Sequence, residues 1–335
     1  MNWESPLFWP AHLKGNTLFV LDETMIPKRM HYMKVKNTRD AVKVIRDMKT
    51  RAFGQFLVVL NTFLLEISAV GAPRQRRGAR QNDLFERLQD TAQSLNASRP
   101  TFPFSEVTGM VLSWAKKAEE QNVGAHGRAP RQEQLSKNIL GFLEGIRYRR
   151  LERVKQISEK IKDGDSVLTH CNVSGELAMA ASLCKAKKKK VRYFVTETRP
   201  YFQGAKLTVW ELQKASVDVT LVPDNAVGYL MNRRMVNKVI VGSDRSCANG
   251  DFANKIGTYQ IAVLANEFEI PFYALTQPSN KIANGNDIPI EIRNPDEILK
   301  FEGKSFLPEG VKGFYPGFDV IPHQLLTEAI ALDVH

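Results

Sequence analysis

Residues 238–258 read Lys238-Val239-Ile240-Val241-Gly242-Ser243-Asp244-Arg245-Ser246-Cys247-Ala248-Asn249-Gly250-Asp251-Phe252-Ala253-Asn254-Lys255-Ile256-Gly257-Thr258. Residues 238–242 form a short β-branched run closed by turn residues, the pattern of a strand buried on both faces. Working outward, the same texture recurs at 166–169, 191–195, 217–222 and 271–274. Helical periodicity fills the gaps at 175–185, 205–215, 225–232 and 252–268. Strands alternating with helices are βαβ units. Their succession predicts an α/β fold, a Rossmann-like domain with a mainly parallel sheet covered on both faces.

Upstream the pattern is helical from about residue 38 to 160. At 40–48, Ala41, Val44, Ile45 and Met48 share one face. Residues 56–70 are richly apolar but too short to cross a bilayer, so they read as a buried helix. Amphipathic segments follow at 83–95 and 106–122, separated by the helix-breaking Arg99-Pro100 and Phe102-Pro103. Two basic stretches, 71–80 and 127–131, contain Gly and Pro and read as loops. A long polar helix over 132–162 connects the halves. The expected organisation is a smaller, mainly helical amino-terminal domain (1–130), a connecting helix (131–162) and the Rossmann-like domain (163–335).

Composition narrows the function classes. Of 335 residues, 43% are hydrophobic and 25% charged, and no run of eighteen apolar residues occurs, so no membrane partner is expected. The first ten residues lack the order of a secretory signal. The three cysteines, Cys171, Cys184 and Cys247, show no CxxC spacing, which argues against a disulfide framework or structural zinc and predicts a cytoplasmic protein. The net charge of +11 suits nucleic acid, a phosphorylated small substrate, or only a solvated basic surface. The lysine run 187–190 lacks interleaved aromatics and reads as a solvated turn, so nucleic acid is not the expected partner.

Ligands of open parallel sheets sit beyond the strands' carboxyl ends. There the chain places Cys171, Thr196-Glu197-Thr198-Arg199, Asp224-Asn225 and Asp244. Cys171 on a strand-to-helix turn is either an activated thiol or a small buried apolar residue. Asp244, emerging from a buried strand, is either a proton-exchanging acid or a partner of Arg245 or Arg199. Asn254-Lys255 reads as the opening of a helix suited to phosphate. Cys184 reads as core, Cys247 as either. His170 reads as structural, because neighbours on an extended strand point oppositely. No GxGxxG, P-loop, HExxH or His pair is present, so no dinucleotide, nucleotide or metal is expected.

These ordered motifs, Leu168-Thr169-His170-Cys171-Asn172, Thr196-Glu197-Thr198-Arg199-Pro200, Gln203-Gly204-Ala205-Lys206, Gly242-Ser243-Asp244-Arg245, Ala248 to Thr258 and Phe318-Asp319-Val320-Ile321-Pro322, resemble the 5-methylthioribose-1-phosphate isomerase family. Its relatives include ribose-1,5-bisphosphate and 5-deoxyribose-1-phosphate isomerases and regulatory subunits of the translation initiation exchange factor. The resemblance implies a cofactor-independent aldose–ketose isomerase of a pentose 1-phosphate, acting as a homodimer. It implies catalytic roles for Cys171 and Asp244, and substrate contacts for Gln203, Asn254 and Lys255. More weakly, it implies phosphate contacts for Arg51 and Arg99. The chain departs from the family's Arg-Gly-Ala-Pro loop, reading Arg51-Ala52-Phe53-Gly54-Gln55, so the pocket at the sugar's far end should differ.

Overall fold

A computed structural model describes residues 3–70, 84–100, 102, 104–120, 128–277, 281–301, 303–305 and 307–332. The chain divides into two compact units, Trp9–Tyr148 and a second made of Met1–Phe8 with Arg149–His335. The division falls inside a long helix, not at the ends of a separate connecting segment, because that helix supplies core residues to both units. The expected loop at 71–80 lies outside the described residues.

The first unit opens with a meander absent from the sequence reading. Strand β1 (Ala11–Lys14) pairs antiparallel with β2 (Thr17–Leu21), and β2 with β3 (Tyr32–Val35). Lys14 faces Thr17, so Gly15-Asn16 is a two-residue hairpin turn, with Gly15 at φ +56°. Helix α1 (Thr38–Arg46) starts at Asn37, whose side chain accepts from the Asp40 amide at 3.0 Å. Helices α2 (Ala52–Val70), α3 (Leu84–Ser98) and α4 (Phe104–Glu120) follow. By length and composition α2 could cross a membrane, yet 67% of its Ala52–Ala69 stretch is buried. Leu57, Val58, Leu60 and Phe63 are fully enclosed with Leu88, Phe104 and Val111, which makes α2 the core helix of this unit.

Helix α5 (Arg128–Lys160) begins earlier than expected. Residues 128–131 are helical, not loop: Pro130 sits in the first turn, where its missing N–H breaks no helical bond. Leu135, Ile139 and Leu143 belong to the first unit's core. Past the division, Arg150 and Arg153 face the second unit.

That unit is a six-stranded parallel sheet. Its strands are β4 (Ser166–Thr169), β5 (Arg192–Thr196), β6 (Asp218–Val222), β7 (Lys238–Gly242), β10 (Phe272–Thr276) and β14 (Glu328–Ala331), ordered β14-β10-β7-β4-β5-β6. Helices α6 (Glu176–Ala186), α7 (Val209–Lys214), α8 (Val227–Asn232) and α9 (Thr258–Glu267) connect them, and α7 is preceded by a wide turn at Gly204–Thr208. A small antiparallel sheet of β8 (Arg245–Ser246), β9 (Phe252–Lys255) and β13 (Phe318–Ile321) stands beyond β7. Helix α10 (Asp296–Leu299) and the hairpin of β11 (Lys300–Phe301) with β12 (Lys304–Ser305) complete the unit. Leu168, Val239, Val241, Phe272 and Ala274 line the core under α8 and α9.

One expectation is corrected. Residues 252–268 are not one helix: Phe252–Lys255 is the strand β9, and α9 starts only after Gly257, at φ +102°. The strand forms because Phe318–Ile321, some sixty residues on, pairs with it register by register.

Candidate active site

The strand order reverses between β4 and β7. From β4 the chain builds outward through β5 and β6, then returns to β7 on the other side and continues to β10 and β14. The crevice outside such a reversal is where doubly wound sheets hold ligands. Cys171 leaves β4 and Asp244 leaves β7, the two strands that flank it. Their segments touch: a Cβ placed on Gly242 would lie 3.2 Å from Val173 Cγ1 and 3.9 Å from Asn254 Oδ1.

Cys171 is buried, in no disulfide, and held at φ +63°, a region costing a non-glycine residue about 1–3 kcal/mol. Polar neighbours hold it there. Its amide donates to Thr198 Oγ1 at 2.9 Å, and its carbonyl accepts from Thr208 Oγ1 at 2.6 Å. Thr198 also sits at φ +63°, and the Asp224 carboxylate fixes its turn by accepting from the Thr198 and Arg199 amides, each at 2.7 Å. The Asn172 amide group donates to Thr208 Oγ1 and to Glu211 Oε2, which is itself buried. These residues hold Cys171 in its turn, a role that no local sequence signal carries.

His170 points the other way. Its Nδ1 lies 2.6 Å from Thr196 Oγ1 and its Nε2 2.9 Å from the Ile256 carbonyl. Burial lowers its pKa, outweighing the opposing pull of Asp224, so the ring is neutral with Nε2–H donating. Both nitrogens are used by the protein, which makes it a structural histidine.

Asp244 is half-buried, and its amide donates to the Ala253 carbonyl at 2.8 Å. The β8–β9 register sets Arg245 against Ala253, so Asp244 stands across from Asn254. Asn254 is 4% exposed and donates through Nδ2 to Thr258 Oγ1 at 3.0 Å. Lys255, 7% exposed, holds Nζ 4.7 Å from the centre of the Phe318 ring. The backbone amides that open α9 are already taken. The Asp319 carboxylate already accepts from the Gly257 and Tyr259 amides at 2.7 and 2.9 Å, so it caps α9. Asp319 gave no signal beyond its place in the closing motif.

Gln203 lies at the start of the wide turn. Its Oε1 is buried with no hydrogen-bond partner. Gly204 behind it is obligatory, since a Cβ there would come within 1.8 Å of the Thr196 carbonyl oxygen. Cys247 packs on Ala253 and Ile288, and Cys184 is 1% exposed; burial raises both thiol pKa values, so both are core. Among the described residues, no group of His, Cys, Asp and Glu side chains is arranged to hold a metal.

Arg51 and Arg99 belong to the other unit, where they meet at the start of α2. Arg51 Nε lies 2.5 Å from Glu23 Oε2, and Glu23 also accepts from Thr50 Oγ1. Arg99 Nη1 donates to Gln55 Oε1 at 3.0 Å, while Gln55 Nε2 donates back to the Thr50 carbonyl. Gly54 is required, as a Cβ would lie 1.8 Å from Thr50 Oγ1. Phe53 packs edge-on to Trp9 and stacks on Phe56.

Comparison with known proteins agrees with this fold. Residues 64–331 match the model of the Initiation factor 2 subunit family. A methylthioribose-1-phosphate isomerase of Thermosipho africanus (strain TCF52B) is 36% identical over 344 residues, covering 94% of this chain and 91% of that protein. The crystal structure of 5-methylthioribose 1-phosphate isomerase from Pyrococcus horikoshii OT3 matches with a TM-score of 0.83 at 26% identity, over 99% of this chain and 94% of that one. The translation initiation factor eIF-2B, subunit delta, from A. fulgidus matches at 0.79 and 28% identity, over 97% and 94%. Shared sequence across nearly the whole length and a shared fold leave one conclusion: the chain belongs to the Initiation factor 2 subunit family and, within it, to the methylthioribose-1-phosphate isomerases.

Proposed function

We propose that the chain is an aldose–ketose isomerase that converts a pentose 1-phosphate, 5-methylthioribose 1-phosphate or its 5-deoxy analogue, to the ribulose 1-phosphate. The observation that carries this reading is the emergence of Cys171 and Asp244 from the two strands flanking the reversal of the sheet. The buried, unpartnered Gln203 Oε1 supports it, because such an atom suits a polar ligand group.

The chemistry explains the residue types. A sugar with phosphate on its anomeric oxygen cannot open its ring unaided. Asp244 in its acid form protonates the ring oxygen, and the bond from that oxygen to C1 breaks. Hydrogen then moves from C2 to C1 with Cys171 assisting, and the C2 hydroxyl loses its proton to become the carbonyl. C1 is reduced as C2 is oxidised, and one proton is gained where one is lost, so the chemistry calls for no cofactor. Lys255 and Asn254 hold the phosphorylated end, and Gln203 a sugar hydroxyl.

The test is NMR of purified protein with 5-methylthioribose 1-phosphate, 5-deoxyribose 1-phosphate and ribose 1,5-bisphosphate. Ketose should accumulate from at least the first, and no turnover of any of the three would overturn the reading. Cys171→Ser and Asp244→Asn should each lower kcat by at least about 100-fold with circular dichroism unchanged. The likeness to the eIF-2B delta subunit favours a second reading, a non-catalytic subunit of a larger assembly. Native mass spectrometry separates the two, since the isomerase should run as an active homodimer alone.

A further inference from the structure

Tyr315 lies in the loop that leads into β13. It is 3% exposed, yet its hydroxyl has no hydrogen-bond partner. Buried polar groups in folded proteins are nearly always satisfied, so an exception tied to a candidate site suits a ligand atom. The ring is not held in place by its oxygen. The main chain does that: the Arg293 amide donates to the Tyr315 carbonyl at 2.8 Å, Pro316 bridges to Ile292, and the Gly317 amide donates to the Glu291 carbonyl at 2.9 Å. Three residues on, Phe318 faces Lys255 across the β13–β9 pair and carries its ammonium group. Tyr315 is therefore tied by a short rigid segment to the strand that bears Asn254 and Lys255.

The phenol is kept in its neutral form by its surroundings. Burial is the main cause that raises its pKa, and Tyr201, Glu297, Arg293 and the Cys171 thiol all act on it. The first three form a closed network at one side, in which Arg293 donates to the Tyr201 hydroxyl, to Glu297 and to Glu291. The hydroxyl stays protonated at physiological pH, which makes it a neutral donor that does not compete for the substrate's protons.

We propose that the Tyr315 hydroxyl is a further substrate-contacting group, donating a hydrogen bond to an oxygen of a sugar phosphate held at Asn254 and Lys255. This rests on the isomerase reading. It was out of reach of the sequence, because nothing in Gly313-Phe314-Tyr315-Pro316-Gly317 distinguishes Tyr315 from a loop aromatic.

The variant Tyr315→Phe removes one oxygen that has no partner in the unliganded protein. Its melting temperature should equal or exceed that of wild type, while kcat/KM falls about 10- to 100-fold. Tyr193→Phe is the control. That phenol is also buried and unpartnered, but it lies at the opposite end of the strands, lining a cavity of about 190 Å³ with Cys184 and Lys190. It should keep wild-type kcat/KM. Turnover of Tyr315→Phe within about twofold of wild type would overturn the proposal. So would a variant that melts well below wild type or does not fold, since the hydroxyl would then be structural. Wild-type protein inactive on every pentose phosphate would remove the isomerase reading, and this inference with it, a result distinct from an active wild type with an unimpaired variant.

Discussion

His170 and Cys171 are neighbours with opposite fates. The imidazole reaches into the body of the domain, where Thr196 and Ile256 occupy both nitrogens, while Cys171, at φ +63°, begins the turn beyond β4. The ring of an unfolded chain titrates near 6.5, and burial lowers the folded value. Between the two values the unfolded chain binds more protons, so stability falls as pH drops through 6.5. Nitrogen-detected NMR of the imidazoles should find His170 neutral at pH 6.5 with the proton on Nε2. An imidazolium there would contradict the assignment. That the two residues differ in role could be read from the sequence, although β4 ends at Thr169 and the strand alternation does not reach Cys171. The partners that silence the histidine could not, since Thr196 and Ile256 lie 26 and 86 residues away in the chain.

The elements around the site are joined by buried charge. Glu176, in the first turn of α6, accepts from Arg150 Nε at 2.5 Å and Arg153 Nε at 2.6 Å, and all three side chains are almost wholly enclosed. Arg153 Nη2 also donates to Glu176 Oε1, and the other three guanidinium nitrogens reach the carbonyls of Phe8, Ser174 and Thr276. One cluster thus ties α5 to the amino-terminal segment, to the turn after Cys171 and to the end of β10. Burial alone would raise the pKa of Glu176, but the two arginines outweigh it and hold the carboxylate low. The cluster's contribution is present above the unfolded value near 4.5 and is lost as pH falls through the lower folded one. Glu176→Ala leaves two buried guanidinium groups uncompensated and should cost about 3–5 kcal/mol in urea unfolding. A loss below about 1 kcal/mol would show that water reaches the arginines. The periodicity of α5 marks Arg150 and Arg153 only as polar residues of a polar helix. Their burial is decided by what packs on them.

For the whole molecule, 47 basic against 36 acidic residues give a net charge of +11, a potential that would steer a dianionic sugar phosphate. Raising NaCl from about 50 to 500 mM shortens the Debye length below ~5 Å and should raise KM several-fold with kcat nearly constant. A salt-independent KM would assign the charge to the solvated surface alone. The parallel sheet was legible because each strand is a local run with a period of its own, and five of its six strands can be found by reading the chain once. The Gly15-Asn16 turn between alternating strands was equally legible, though the reading passed over it. Other features were settled only when distant segments met. Strand β9 is a strand because Phe318–Ile321 lies beside it, and Asp319 caps α9 across some sixty residues. The strand order that sets the ends of β4 and β7 side by side, and the orphaned hydroxyl of Tyr315, likewise follow from packing. Periodicity and turn chemistry are properties of consecutive residues, so the chain carries them by itself. Strand order, burial and the satisfaction of a polar group depend on partners far away in sequence, and only the folded chain brings those partners together.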